Sequence, residues 1–210
     1  MKDINEIFSS SKSSKELFTS LVSRLAECIE DSDRNNAIRE EVIFKTVLSQ
    51  FLTDDERAKF YGLPNGCRIR ENAKIIKPEN FKCGEYVWIG EGAVLDASGG
   101  LEIGDHTSVG LYVLIWSHTS YLTNLSMSNT QNSPLIRRNK TTIGKGVFIA
   151  GPSVIYPGVT IGDKTAILPL TTITKSFKGN VILGGSPARI IKEISDEEIE
   201  RLVRDAKERK

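Results

Sequence analysis

Six isoleucines, Ile143, Ile149, Ile155, Ile161, Ile167 and Ile173, recur at six-residue intervals. An α-helix returns its apolar face every 3.6 residues and a plain strand alternates every two, so neither accounts for a step of six. A short strand followed by a turn, repeated, does. Gly144, Gly146, Gly151, Gly158 and Gly162 fall between the isoleucines with Pro152, Pro157 and Pro169, residues that bend the chain and cannot continue a ladder. The fourth residue after each isoleucine is Val147, Ser153, Val159, Thr165, Thr171 or Phe177, mostly small or β-branched. Two side chains of each six therefore point inward. Three such strands make one triangular coil, and coils stack as parallel sheet at about 4.8 Å. The spacing predicts a mainly β chain, a parallel β-solenoid in which Ile143 stacks on Ile161, Ile149 on Ile167 and Ile155 on Ile173.

Earlier in the chain the six-step begins after Tyr61-Gly62-Leu63-Pro64 and runs through Ile69, Ile75, Phe81 and Val87. It slips by two to Ile89 and Leu95, and again across Ser98-Gly99-Gly100 to Ile103, Val109 and Ile115. Such slips mean small corner loops. The stretch from Ile115 to Ile143 is longer than whole hexads allow and polar from Thr119 to Lys140, so a loop over 117–140 leaves the solenoid. Long loops on a compact scaffold are more often functional than idle.

Residues 1–60 read as a separate helical cap. Leu17, Leu21, Leu25 and Ile29, then Ile38, Val42 and Ile43, keep helical spacing in a charged, glycine-free stretch. Helices here would cover the first coil, whose open end leaves unpaired backbone, and a free-standing interaction arm is the competing reading. Ser195-Asp196-Glu197-Glu198 is a capping box opening a terminal helix over 195–210, with Ile199, Leu202, Val203 and Ala206 on one face. The solenoid domain itself spans 61–194.

The 210 residues carry a net charge of +1, which gives no argument for nucleic acid or a membrane surface. The start has no apolar run of signal-peptide length and no stretch reaches transmembrane length, so the expected location is cytoplasmic. Cys28, Cys67 and Cys83 lack metal or disulfide-framework spacing and read as buried free thiols.

The hexads, with Ile143-Gly144-Lys145-Gly146-Val147-Phe148-Ile149, Pro157-Gly158-Val159-Thr160-Ile161-Gly162-Asp163 and Gly185-Ser186-Pro187-Ala188-Arg189, resemble the hexapeptide-repeat acyltransferases. Within them the chain is similar to the maltose, galactoside and cell-surface polysaccharide O-acetyltransferases. The resemblance implies a left-handed parallel β-helix and a homotrimer with active sites in the clefts between subunits. It also implies acetyl-CoA as co-substrate, no required metal, and a sugar or glycan acceptor.

Of the two histidines, His118 stands where the related enzymes place their catalytic base, at the mouth of the long loop; His106 occupies a turn and has a structural reading. An imidazole suits the task because its ordinary pKa lies near neutrality, so it can take a hydroxyl proton and return it. The resemblance also implies a backbone donor to the oxyanion at Gly151, where a glycine needed only for the corner is an equally good reading. Cofactor contacts would fall to Phe148, Gly151, Thr174, Lys175, Arg189 and Lys192, the basic residues suiting the anionic end of CoA. Ser176 departs from the family, which often has Asp there. On the acceptor side Asp96 would accept hydrogen bonds from sugar hydroxyls, with a solvated corner Asp as the alternative. Trp116 and Tyr121, with Tyr112, would offer stacking surfaces for a sugar ring, and aromatic packing at the core corners is an equally good reading.

Two histidines cannot supply the three zinc ligands of a carbonic anhydrase on this fold, and the N-terminal segment is short for a serine acetyltransferase. An N-acetyltransferase of a nucleotide-linked amino sugar stays open, since its base and cofactor site would look alike. A non-enzymatic solenoid scaffold is the alternative of a different class.

Overall fold

In the computed structural model the chain divides into two compact units, Met1–Val47 and Leu48–Lys210. The structure describes residues 52–128 and 133–209, together with Glu16, Thr19 and Ser23. The stripe from Leu17 to Ile43, and Cys28, lie outside the described residues. The last part of the expected cap is helix Asp54–Phe60. Its Arg57 is buried and donates from Nη1 to the Ile69 carbonyl (2.5 Å) and from Nη2 to that of Leu52 (2.6 Å), which ties the helix to the first solenoid strand.

The second unit is a solenoid of short parallel strands arranged as three faces, in sheets of seven, five and four strands. We refer to these as the first, second and third faces, in the order in which the chain passes through them. The predicted stacks are present: Ile143 pairs with Ile161, Ile149 with Ile167 and Ile155 with Ile173, each fully buried. The companion positions two residues before each isoleucine, Val147, Ser153, Val159, Thr165 and Thr171, are buried as well. Buried hydroxyls are accommodated by bonding to the corner backbone, as when Ser153 Oγ donates to the Ala150 carbonyl (2.7 Å) and Thr171 Oγ1 to that of Leu168 (2.6 Å).

The slips of two have a physical origin that the six-step alone does not show. Val87 and Ile89 are both inward, so a jump of two moves between the two core positions of one hexad. In addition, the first coils are longer than the later ones: partners are twenty residues apart for Ile69 with Ile89, Ile75 with Leu95 and Cys83 with Ile103. The two extra residues sit at the edge between the second and third faces, as the 3-10 turn Pro78–Asn80 in one coil and around Ser98-Gly99-Gly100 in the next. The long insertion leaves at that same edge one coil later. There Ile103 pairs with Ile143 and Ile115 with Ile155, forty residues on.

The inserted segment is more than an irregular loop. Its base is an antiparallel pair in which Arg138 lies opposite His118 and Arg137 opposite Thr119, followed outward by the short helix Tyr121–Leu125. At the far end of the solenoid, Val181–Gly184 joins the first face in parallel and Arg189–Glu193 closes that sheet antiparallel. Helix Asp196–Glu208 follows, with Ser195 Oγ accepting from the Glu198 N–H (3.2 Å) as an N-cap. Its apolar residues Leu202 and Val203 remain exposed. Cys67 and Cys83 are free thiols on the first coil, and burial with Cys67 alongside pushes the Cys83 thiol up to about 12.

Candidate active site

The edge between the second and third faces carries a column of residues that end or follow the strands of the second face: Ile76, Asp96, Trp116, Tyr156 and Thr174. Successive coils are in register, so residues far apart in sequence meet here. Asp96 ends strand Val94–Asp96, and the chain one coil above runs Trp116-Ser117-His118 over it.

Asp96 has no exposed surface and spends its carboxylate on this turn. Oδ2 lies 2.6 Å from His118 Nδ1 and accepts from the N–H groups of Ser117 (2.9 Å) and His118 (3.1 Å). Oδ1 accepts from the Ser98 N–H (3.0 Å). Burial pushes the carboxyl upward, but donors from Ser98, Ser117 and His118 outweigh it and hold the group below the ordinary carboxylate range. An ionised acceptor at Nδ1 fixes the imidazole with its proton on that nitrogen, which leaves the Nε2 lone pair as the basic one. The reading of Asp96 as a contact for sugar hydroxyls is therefore corrected: it faces the histidine ring from below and presents no atom to solvent.

His118 is partly exposed and opens on a depression of about 600 Å³ lined with Trp116, Thr119, Ser120, Tyr121 and Asn124. Trp116 stands edge-on to the imidazole, with centroids 6.2 Å apart, and Tyr121 is half exposed on the short helix. Both aromatic residues thus border the same depression as the candidate base. His106, by contrast, takes a left-handed turn position and stacks on Tyr86 at 5.0 Å. Tyr112 packs its ring over Gly92 at the edge between the first and second faces, away from His118 within the chain.

Thr174 and Lys175 lie on the same edge as His118, two coils on, and both are exposed. Lys175 lines a groove of about 820 Å³ with Phe177, Lys178, Asn180 and Ile190, its Nζ 5.5 Å from the Phe177 ring centre. Ser176 Oγ accepts from the Thr160 N–H (2.9 Å), a structural use of the residue that departs from the family.

The remaining candidates are elsewhere on the prism. Phe148 is 55% exposed on the first face, between Ser108 and Ala166 in the ladder. Gly151 turns the edge between the first and second faces, where an added Cβ would fall 1.6 Å from the Leu111 carbonyl oxygen, so stacking of the corners alone demands glycine. Arg189 is exposed on the final strand beside Leu168, Pro169 and Ile191. Lys192, on that strand too, is bound through Nζ to Glu198 Oε1 (2.5 Å). Its charge is met within the chain by this exposed ion pair. Among the described residues no group of three His, Cys, Asp or Glu side chains is placed to hold a metal ion.

Sequence reasoning missed Ser117 and Gly99. Ser117 is buried, its hydroxyl lies 3.3 Å from Asp96 Oδ2, and it accepts from the Gly99 N–H (2.8 Å). The signal was a coil of twenty residues, which sets Trp116 directly above Asp96; a count of eighteen does not.

No family model matches the chain. It is 32% identical over 146 residues to galactoside O-acetyltransferase of Escherichia coli (strain K12), covering 66% of this chain and 70% of the relative. It is also 32% identical over 125 residues to an acetyltransferase of the same strain assigned to colanic acid biosynthesis, covering 60% of this chain and 65% of that protein, so the match spans just under two thirds of the relative's length. A third relative, the dTDP-4-amino-4,6-dideoxy-D-glucose acyltransferase of Escherichia coli, is 28% identical over 170 residues, 76% of this chain and 88% of its own. In fold, the chain is similar to a hexapeptide-repeat acetyltransferase of Vibrio cholerae O1 biovar eltor solved with acetyl coenzyme A. There the TM-score is 0.60 and the identity 21%, over 79% of this chain and 91% of that one.

Proposed function

Because this chain belongs to the hexapeptide-repeat acetyltransferases, as its match to galactoside O-acetyltransferase establishes, we propose that it moves an acetyl group from acetyl-CoA to a hydroxyl of a sugar or surface-polysaccharide precursor. The observation that carries the reading is the 2.6 Å contact between Asp96 and His118 Nδ1 beneath an open depression. A histidine held at one nitrogen by a buried carboxylate, with its other nitrogen beside an aromatic-lined opening, is built to take a proton from something that enters there.

In the proposed reaction Nε2 of His118 removes the acceptor proton as the hydroxyl oxygen attacks the thioester carbonyl. The tetrahedral oxyanion takes a hydrogen bond from the Gly151 N–H, which makes no hydrogen bond within the chain among the described residues. Collapse breaks the C–S bond, and the imidazolium returns its proton to the departing thiolate, leaving acetyl ester and CoA. Asp96 stays ionised throughout and offsets the charge that forms on the ring.

Two sets of candidates, on different edges of the prism, argue for a shared site. His118, Trp116, Tyr121, Thr174 and Lys175 belong to the edge after the second face; Gly151, Phe148 and Arg189 belong to the first face and the edge after it. A homotrimer would bring one set of each subunit against the other set of its neighbour, with Phe148 walling the pantetheine and Lys175 and Arg189 meeting the CoA phosphates. No helix among the described residues is long and apolar enough to cross a membrane, and we place the reaction in the cytoplasm, where acetyl-CoA is made.

The long match to an amino-sugar acyltransferase favours a second reading, transfer to an amine of a nucleotide-linked sugar. The test is acetyl-CoA consumption against monosaccharides, nucleotide sugars and amino sugars, with mass spectrometry of the product. An ester supports the first reading, an amide moves it to the second, and no transfer to any sugar leaves neither standing.

A further inference from the structure

The strand that closes the insertion brings two arginines to the candidate base, and no part of the reaction above uses them. Arg138 lies directly opposite His118 and Arg137 opposite Thr119. Residues directly opposite in an antiparallel pair put their Cβ atoms roughly 4.5–5.5 Å apart on one face of the ribbon. The base of the insertion is held firmly: the Asn139 N–H donates to the Ser117 carbonyl (2.8 Å) and Thr141 Oγ1 to that of Trp116 (2.7 Å). The arginine is therefore fixed at its backbone relative to the Asp96–His118 pair, while its guanidinium is exposed.

Arg138 lines a groove of about 430 Å³ with Lys82, Lys140, Glu79, Glu102 and the Ser98-Gly99-Gly100 corner, the corner that also bonds Asp96 and Ser117. The two carboxylates of this groove already have partners: Glu102 is 2.7 Å from Lys140 Nζ and Glu79 is 3.6 Å from Lys77 Nζ. Arg138, Arg137 and Lys82 have no carboxylate within ion-pair distance among the described residues. An unmet planar guanidinium with an ammonium across the groove matches the oxygens of a phosphate or carboxylate. A neutral sugar would need neither.

Building on the reading of the site as a sugar acetyltransferase, the geometry points to an acceptor that bears an oxyanion, held by Arg138 with Lys82 while a hydroxyl of the same molecule reaches His118. The oxyanion has two possible sources, a phosphate in the linkage of an activated sugar or the carboxylate of a uronic acid, and they present the same chemistry to the groove.

The experiment compares kcat/KM for glucose, glucose 1-phosphate, a nucleoside-diphosphate glucose and glucuronate, all with acetyl-CoA, in the wild type, R138Q, K82Q and, as a control on the distant terminal helix, K207Q. One charged hydrogen bond predicts a preference of roughly 10- to 100-fold for at least one anionic acceptor over glucose. The preference should fall with added salt, as exposed charges are screened. R138Q should bring the anionic acceptor down to the level of glucose, and K207Q should not. The phosphate and glucuronate arms tell the two sources apart. Calorimetric binding of the same sugars without acetyl-CoA gives a second readout: binding of an anionic sugar that R138Q removes upholds the inference even if no acetyl transfer is seen. Equal use and equal binding of neutral and anionic sugars, or a preference unchanged in R138Q, would overturn it.

Discussion

The Asp96 carboxylate lies 2.6 Å from His118 Nδ1, although a whole coil of chain separates the two residues. Both oxygens are engaged by donors from the turn above and the corner beside it, so the ring is held by a group that cannot itself turn away. The account predicts that Asp96→Asn, which keeps the shape and removes the charge, lowers kcat by roughly 10²-fold or more. Steady-state kinetics should show KM for acetyl-CoA nearly unchanged, because Asp96 acts through the histidine. A variant that raised KM for the sugar alone would instead return Asp96 to the acceptor side.

The same carboxylate makes stability depend on pH with a definite sign. Its folded pKa is lowered, so the unfolded chain binds the proton more readily, and the stabilisation is present above the unfolded carboxylate value of about 3.9. It is lost as pH falls through the folded value. Melting curves of the wild type and Asp96→Asn from pH 7 to pH 3 should therefore draw closer together at the acid end. A difference in Tm that stays constant over that range would contradict an ionised Asp96 in the folded protein.

Ile155 pairs with Ile115 below and Ile173 above with no exposed surface. Ile155→Ala should cost about 2–5 kcal/mol, the lost transfer energy plus a cavity that coils tied by ladders on both sides cannot collapse. Denaturant unfolding measures it. A loss below about 1 kcal/mol would mean that the stack is not the core.

Gly99 has a Cβ direction that ends 2.1 Å from the Ser117 carbonyl oxygen and 2.7 Å from the Asn139 nitrogen. Backbone must move to admit even a methyl group, and the backbone in question carries His118. Gly99→Ala should lower Tm and kcat together, whereas an alanine at exposed Lys207 should change neither. Normal activity in Gly99→Ala would show that the base tolerates displacement of its corner.

Much of this is legible in the sequence. The isoleucine six-step fixes strands, turns and stacking from Ile143 onward, because each hexad places two side chains in a core too narrow for alternatives. His118 was legible as a candidate through the resemblance to the family, which places its base at the mouth of this loop. The role of Asp96 was not, since it depends on coil length, and the two extra residues at Lys77–Asn80 and Ala97–Gly100 are written in ordinary corner residues with no apolar signal. Arg137 and Arg138 were hidden for a related reason: pairing across the base of an insertion is set by where its two ends leave the solenoid, not by hydrophobic period.

The central claim is that His118 is the base, and turnover in His118→Ala tests it most directly. With acetyl-CoA saturating and an accepted sugar present, kcat should fall by roughly 10²- to 10⁴-fold, while acetyl-CoA affinity and the sedimentation coefficient stay at their wild-type values. Near-normal turnover in a folded His118→Ala protein would place the chemistry elsewhere and contradict the account.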